Sequence, residues 1–233
     1  MLDELKKQVC QANLELVTRR LVEGTFGNVS GIDRAAGCVV IKPSGVPYAE
    51  LKPKQMAVVS YETGTVVEGD LRPSSDTPTH LVLYRAFPGV GGIAHTHSLY
   101  ATAWAQAGKA VPVLGTTHAD EFPGPIPCTR PMTPEEIETG YEANTGNVIV
   151  ERLVELDPEE CPGVLVASHG PFAWGADCGR AAHNAAVVEQ LARLASETLR
   201  IEPYPRPMQK ELIEKHFRRK HGPGRTYGQE SSG

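Results

Sequence analysis

Three segments each set two β-forming runs on either side of a connection of only a few residues. These are GNVSGIDRAAGCVVIKPSGVPY, MAVVSYETGTVVEGD with its turn at Glu62, Thr63 and Gly64, and GVLVASHGPFAWGAD with its turn at His169 and Gly170. Only antiparallel neighbours can be joined so tightly, because a parallel pair needs a crossover of a dozen or more residues. This constrains the fold more than any other feature of the chain. Helical patterns lie between the strand pairs without a clean β-α-β period, so the expectation is one domain with a helix-flanked mixed or antiparallel sheet.

The helices are read from spacing and caps. Leu2, Leu5, Val9, Ala12, Leu16 and Val17 recur at helical intervals over 2–23, with Gly24 as the stop. A helix starts near Ser74, Ser75 or Asp76 and is closed by Pro88 and Gly89, and Ser98 caps another. VPVLGTTHADEFPGPIPCT reads as a strand running into a proline-rich loop. Thr133, Pro134 and Glu136 form a capping box for a helix with interruptions at Gly140 and Gly146 on its way to Leu156. Asp177 caps a long helix to about Leu199, and the last helix runs from near Pro207 to just before Gly222. The domain spans 1–228, and 229–233, within the terminal QESSG, is expected to be a disordered tail.

Composition removes several classes of function. Across 233 residues, 40% are hydrophobic and 22% charged, and no apolar run is long enough to span a bilayer. The net charge of −5 argues against a general nucleic-acid binder, leaving KHFRRKHGPGR as a local basic exception best read as a solvated helix face. Cys10, Cys38, Cys128, Cys161 and Cys178 are odd in number and form no C-x-x-C pair, which disfavours a disulfide framework or zinc ribbon. The N-terminal segment reads as a helix and not a signal peptide, so a cytoplasmic protein is expected.

The chemistry concentrates in a few places. In GGIAHTHSLYATAWA, His95 and His97 stand two apart, so in an extended segment both imidazoles face one side and Thr96 faces the other. A third ligand is required for a catalytic metal, and His169, in a tight turn after an apolar strand, is the strongest candidate. His80 and His183 fall inside helices, where a partly buried structural role is favoured; His118, His216 and His221 complete the set. Asp76 can reach a metal or simply cap its helix. Phosphate recognition uses turn amides, hydroxyls and a cation, and three stretches fit: GTFGNVSG with Gly27 and Asn28, IKPSGVPY with Lys42, Ser44 and Gly45, and PSSDT with Ser74 and Ser75. Asp120 and Tyr227 sit in segments from which a side chain can reach a cleft.

Taken in order, FGNVSG, KPSG, PSSDTPTH, AHTHS, THAD, ASHGPF and TYGQ make the chain resemble the class II aldolase superfamily, and more narrowly its ketopentose-phosphate 4-epimerase branch. The aldolases of that superfamily usually carry glutamate where this chain has Asp76, which favours the epimerase branch. The resemblance implies a three-layer α/β/α domain with a central mixed, largely antiparallel sheet. It implies Zn²⁺, one per subunit or another divalent ion in its place, held by His95, His97 and His169 with Asp76 close to or in the coordination sphere. It assigns the phosphate of a small ketopentose and its adjoining groups to Gly27, Asn28, Ser44, Gly45, Ser74, Ser75 and Lys42, acid/base work to Asp120 and Tyr227, and an accessory place to His216. It further implies a homo-oligomer, a cyclic tetramer with active sites between subunits, which lets a C-terminal tyrosine complete a neighbour's site. Neither nucleic acid nor membrane is expected as a partner. A fuculose-phosphate-type aldolase shares the same triad, whereas a non-catalytic scaffold of this fold would be expected to lose the histidines that this chain keeps.

Overall fold

The computed structural model describes residues 2–222. Seven strands form one sheet: β1 (Asn28–Asp33), β2 (Cys38–Ile41), β3 (Ala57–Ser60), β4 (Val66–Glu68), β5 (Gly92–His95), β6 (Gly163–Val166) and β7 (Gly170–Gly175). Their order is β4-β3-β2-β1-β5-β7-β6, and each pairing between named strands is antiparallel. Among the described residues the sheet is therefore wholly antiparallel, and parallel pairing survives only as an isolated bridge from Cys128 to Leu165.

The helices are α1 (Leu2–Thr18), α2 (Thr77–Ala86), α3 (Leu99–Gln106), α4 (Thr116–Ala119), α5 (Pro134–Glu138), α6 (Tyr141–Arg152), α7 (Cys178–Ile201) and α8 (Lys210–His221). Alternation along the strands builds the layers. Val40, Val58, Ala94 and Ala173 face α1 and α7, while their strand neighbours Val39, Val59, Ile93, Phe172 and Trp174 face α2 and α6. Each fully buried valine, isoleucine or phenylalanine among them contributes about 1.5–3 kcal/mol over an exposed one. On β5 and β7, alanines on one face and Ile93, Phe172 and Trp174 on the other let α7 sit close to the sheet while α2 and α6 ride on a thicker layer.

Several boundaries differ from the sequence reading. Helix α1 stops at Thr18 because Arg20 takes a left-handed φ of 58° and Leu21 N–H and Arg20 N–H return to the carbonyls of Leu16 and Val17, a Schellman closure that precedes Gly24. The strand expected at VPVL is a single bridge between Val111 and Ile126, after which the chain turns into the short α4. Gly140, with φ 147°, separates α5 from α6, but α6 runs through Gly146 without a break. The capping box at Thr133 and the Asp177 cap form as read. Helix α8 begins at Lys210, after the proline-containing stretch that follows α7. Tyr227 and the 229–233 tail lie outside the described residues.

Candidate active site

One end of the sheet collects the chemistry, and strand register explains why. Asn28 opens β1 directly across from His95, the last residue of β5, and His95 in turn pairs with Phe172 of β7. His169 lies in the turn just before β7, so the register carries it past the strand ends to the side of His95 and His97. That turn is held by Ser168 at a left-handed φ of 61°. Lys42 follows β2 at the same end, and the segment before α2 closes over it, with Ser44 N–H donating to Arg72 O and Ser74 N–H to Lys42 O.

The three imidazoles converge, with one ligand atom from each of His95, His97 and His169 lying within 4.8 Å of the others. Nε2 of His95 is 3.0 Å from Nε2 of His97. His95 Nδ1 is 3.0 Å from the carbonyl oxygen of Pro171, which can only accept, so the proton sits on Nδ1 and Nε2 keeps its lone pair. Phe172 stacks on the His95 ring at 4.1 Å and Phe26 on that of His97 at 6.0 Å. Burial pushes His95 down to about 3 and lowers His97 and His169 as well, which keeps the rings neutral at physiological pH. Neutral, converging imidazoles on a sheet end fit a divalent metal ion. Thr96, fully buried, turns away to donate to Ser98 Oγ as the alternation predicts, although β5 itself ends at His95.

Asp76 occupies the N-cap position of α2 yet makes no cap hydrogen bond. Its carboxylate instead accepts from Asn28 Nδ2 at 2.6 Å and Ser74 Oγ at 3.4 Å. Burial raises its pKa, but the neighbouring His95 and His80 and the Asn28 hydrogen bond outweigh this and hold it below the ordinary carboxylate range. Capping is thus excluded, and Asp76 stands beside the triad without being one of its three convergent members.

A cavity of about 380 Å³ opens over these groups. Gly27, Asn28, Lys42, Ser44 and Gly45 line one side, and Ser74, Ser75, Asp76 and the three histidines line another. Lys42 is only 2% exposed; its ammonium lies 4.8 Å over the Tyr48 ring and makes long contacts of 3.4 Å to the carbonyls of Thr25 and Pro43. Burial lowers its pKa. A cation so weakly partnered, beside the N-terminal end of α2, gives an anionic group two reasons to settle there.

The cavity also contains residues that the sequence reading passed over, namely Thr25, Phe26, Tyr141 and Glu142. Phe26 sat unread inside a motif noted for its glycines. Tyr141 was signalled only by the helix break at Gly140. Asp120, by contrast, does not line this cavity. It follows α4, where His216 Nδ1 and Arg219 bond its carboxylate at 3.0–3.2 Å, and these contacts outweigh partial burial to hold its pKa low. Its neighbour Glu121 lines a different cavity with Gly175 and Ala176, at the end of β7 remote from His169. His216 goes with Asp120, and Arg219 and Lys220 pair with Asp120 and Glu121, so the basic segment is partly a clamp and not only a solvated face. His118 is buried against the carbonyl of Gly124, and His80 is buried against Ser30.

Fold and site together define a class: an antiparallel three-layer α/β/α protein with a candidate metal centre at one sheet end. The chain belongs to the Class II Aldolase and Adducin N-terminal domain family, whose model matches residues 7–196. It is 55% identical over 228 residues to the L-ribulose-5-phosphate 4-epimerase UlaF of Salmonella paratyphi B, covering 98% of this chain and 100% of that protein. Among solved structures, an L-fuculose 1-phosphate aldolase superposes with a TM-score of 0.76 at 26% identity, over 91% of this chain and 94% of that one. The L-fuculose-1-phosphate aldolase of Thermus thermophilus, at 22% identity and a TM-score of 0.68 over 87% of this chain and 98% of its own, shares the fold.

Proposed function

We propose that this chain is a zinc-dependent epimerase that interconverts L-ribulose 5-phosphate and D-xylulose 5-phosphate. The observation that carries the reading is the convergence of His95, His97 and His169 in one cavity with Lys42 and the serine loops, in a chain 55% identical to an L-ribulose-5-phosphate 4-epimerase.

The carbon to be inverted carries a hydroxyl and lies β to the ketone, so its hydrogen is not acidic and removing it does not lead to inversion. Cleaving the bond between that carbon and its neighbour does, by a retro-aldol step followed by re-addition to the opposite aldehyde face. His95, His97 and His169, with Asp76 beside them, would hold a divalent ion, which would supply Lewis acidity to the substrate's carbonyl group. Lys42, with Asn28 and the loops at Gly27, Ser44, Gly45, Ser74 and Ser75, holds the phosphate while the aldehyde fragment, glycolaldehyde phosphate, turns over. Retention of that fragment separates an epimerase from an aldolase.

Two faces require two proton-transfer groups, which we assign to Asp120 and Tyr227, with His216 orienting Asp120. Because Asp120 lies away from the histidine cavity of its own chain, it is assigned to a neighbour's site within a cyclic tetramer. The five cysteines are unpaired, which is in keeping with work in the cytoplasm. The test is to incubate the metal-loaded protein with L-ribulose 5-phosphate and identify the products. D-xylulose 5-phosphate is expected; accumulation of dihydroxyacetone and glycolaldehyde phosphate in its place would assign the chain to the aldolases.

A further inference from the structure

We propose that Tyr141 is a positioning residue of the candidate metal centre: its phenolic oxygen accepts the Nδ1 proton of His169 and thereby fixes the tautomer that leaves Nε2 for the metal. The inference rests on reading His95, His97 and His169 as metal ligands and adds a residue outside that set.

The two histidines solve the same problem differently. In His95 a backbone carbonyl, that of Pro171, sits 3.0 Å from Nδ1 and settles the proton there. The atom 3.2 Å from Nδ1 of His169 is the hydroxyl of Tyr141, which can donate or accept. If the hydroxyl donated, the ring proton would move to Nε2 and the neutral imidazole would have no lone pair left for a metal. If it accepts, His169 presents the same tautomer as His95, and the phenolic proton is released toward the cavity that Tyr141 lines. The two rings lie 5.9 Å apart at 32°, so the phenol also limits rotation of the imidazole.

Local structure explains how a residue distant in sequence reaches this place. Gly140, at φ 147°, breaks the chain between α5 and α6, and Tyr141 is therefore the first residue of α6, next to the turn that carries His169. Thr145 anchors it by donating to the Tyr141 carbonyl at 2.8 Å. The side chain is 37% exposed, so removing its hydroxyl opens no buried void.

The experiment compares the full-length chain with its Tyr141→Phe variant, using Tyr204→Phe, an exposed tyrosine outside the cavity, as control. Zn²⁺ affinity is measured by chelator competition, the Co²⁺-substituted forms by visible absorption, and the metal-free forms by urea unfolding. Tyr141→Phe is expected to keep its metal stoichiometry and metal-free unfolding midpoint, to bind Zn²⁺ about 10- to 100-fold more weakly, and to shift the Co²⁺ bands. Unchanged affinity and spectrum, or weakening fully matched by loss of metal-free stability, would overturn the inference. A wild-type chain that binds no divalent ion would instead overturn the metal-centre reading beneath it.

Discussion

His80, on α2, is sealed against β1, with its Nδ1 2.7 Å from Ser30 Oγ, and that hydroxyl meets Tyr84 OH at 2.8 Å. Burial pushes its pKa from an ordinary 6.5 down to about 4 against the opposing pull of Asp76, and burial does the same to His118 despite its bond to Gly124. Between those values the unfolded chain binds protons that the folded chain refuses. Stability from these residues is therefore complete above pH 6.5 and is lost as pH falls toward 4, by up to about 1.4 kcal/mol per pH unit for each histidine. Urea unfolding of the metal-free protein should show a midpoint that drops steadily from about pH 6.5 to about pH 5; a flat or rising midpoint would contradict the assignment. At this scale the sequence was most informative where chemistry depends on residue type. The H-x-H pair, His169 and the serine and glycine turns were each a weak signal alone and were legible only as a set, which the structure gathers around one cavity. Whether Asp76 caps α2 was not legible, since the answer depends on Asn28, 48 positions away, which draws the carboxylate off the helix.

Helix α6 shows what element boundaries conceal. Gly146 reads as an interruption because glycine weakens helices by roughly 1 kcal/mol relative to alanine. In the fold it is a contact point: a Cβ there would sit 2.7 Å from Val82 Cβ and 3.2 Å from the Thr79 carbonyl on α2. Gly146→Ala should therefore lower stability by about 1–2 kcal/mol despite its better propensity, because a branch-point carbon and a backbone oxygen cannot swing aside. An increased urea midpoint would show that the two helices can separate at little cost. The start of α3 was likewise only half legible. Ser98 stands at its N-cap without a side-chain cap bond, and the free amides of Tyr100 and Ala101 are taken by the carboxylate of Glu189 from α7, at 2.9 Å each. A capping residue 88 positions downstream leaves no local mark, yet it anchors the helix that begins two residues after His97. The hairpins were read correctly because their turns are local, whereas VPVL, lacking a sheet neighbour, never became a strand.

At the scale of the molecule, the sheet end holding the histidines and the α4–α8 corner holding Asp120 are separate places on one chain. The three-layer arrangement followed from the family resemblance, and the helix-flanked, antiparallel sheet was legible from the short connections. The separation of the two groups was not, since sequence order says nothing about which end of a strand a later loop returns to. In the proposed assembly they would be joined: each catalytic unit would take its metal ligands and phosphate cradle from one subunit and Asp120 and Tyr227 from the next. His97→Asn and Asp120→Asn should each lower turnover by roughly a hundredfold or more as homo-oligomers. The most direct measurement is the activity recovered when these two inactive variants are unfolded together in equal amounts and co-assembled. Random assembly into shared-site rings predicts recovery of about a quarter of wild-type turnover, because one site in four pairs intact histidines with an intact Asp120. Co-assembled rings, verified as mixed, that remain as inactive as their parents would contradict a site completed by the neighbouring subunit.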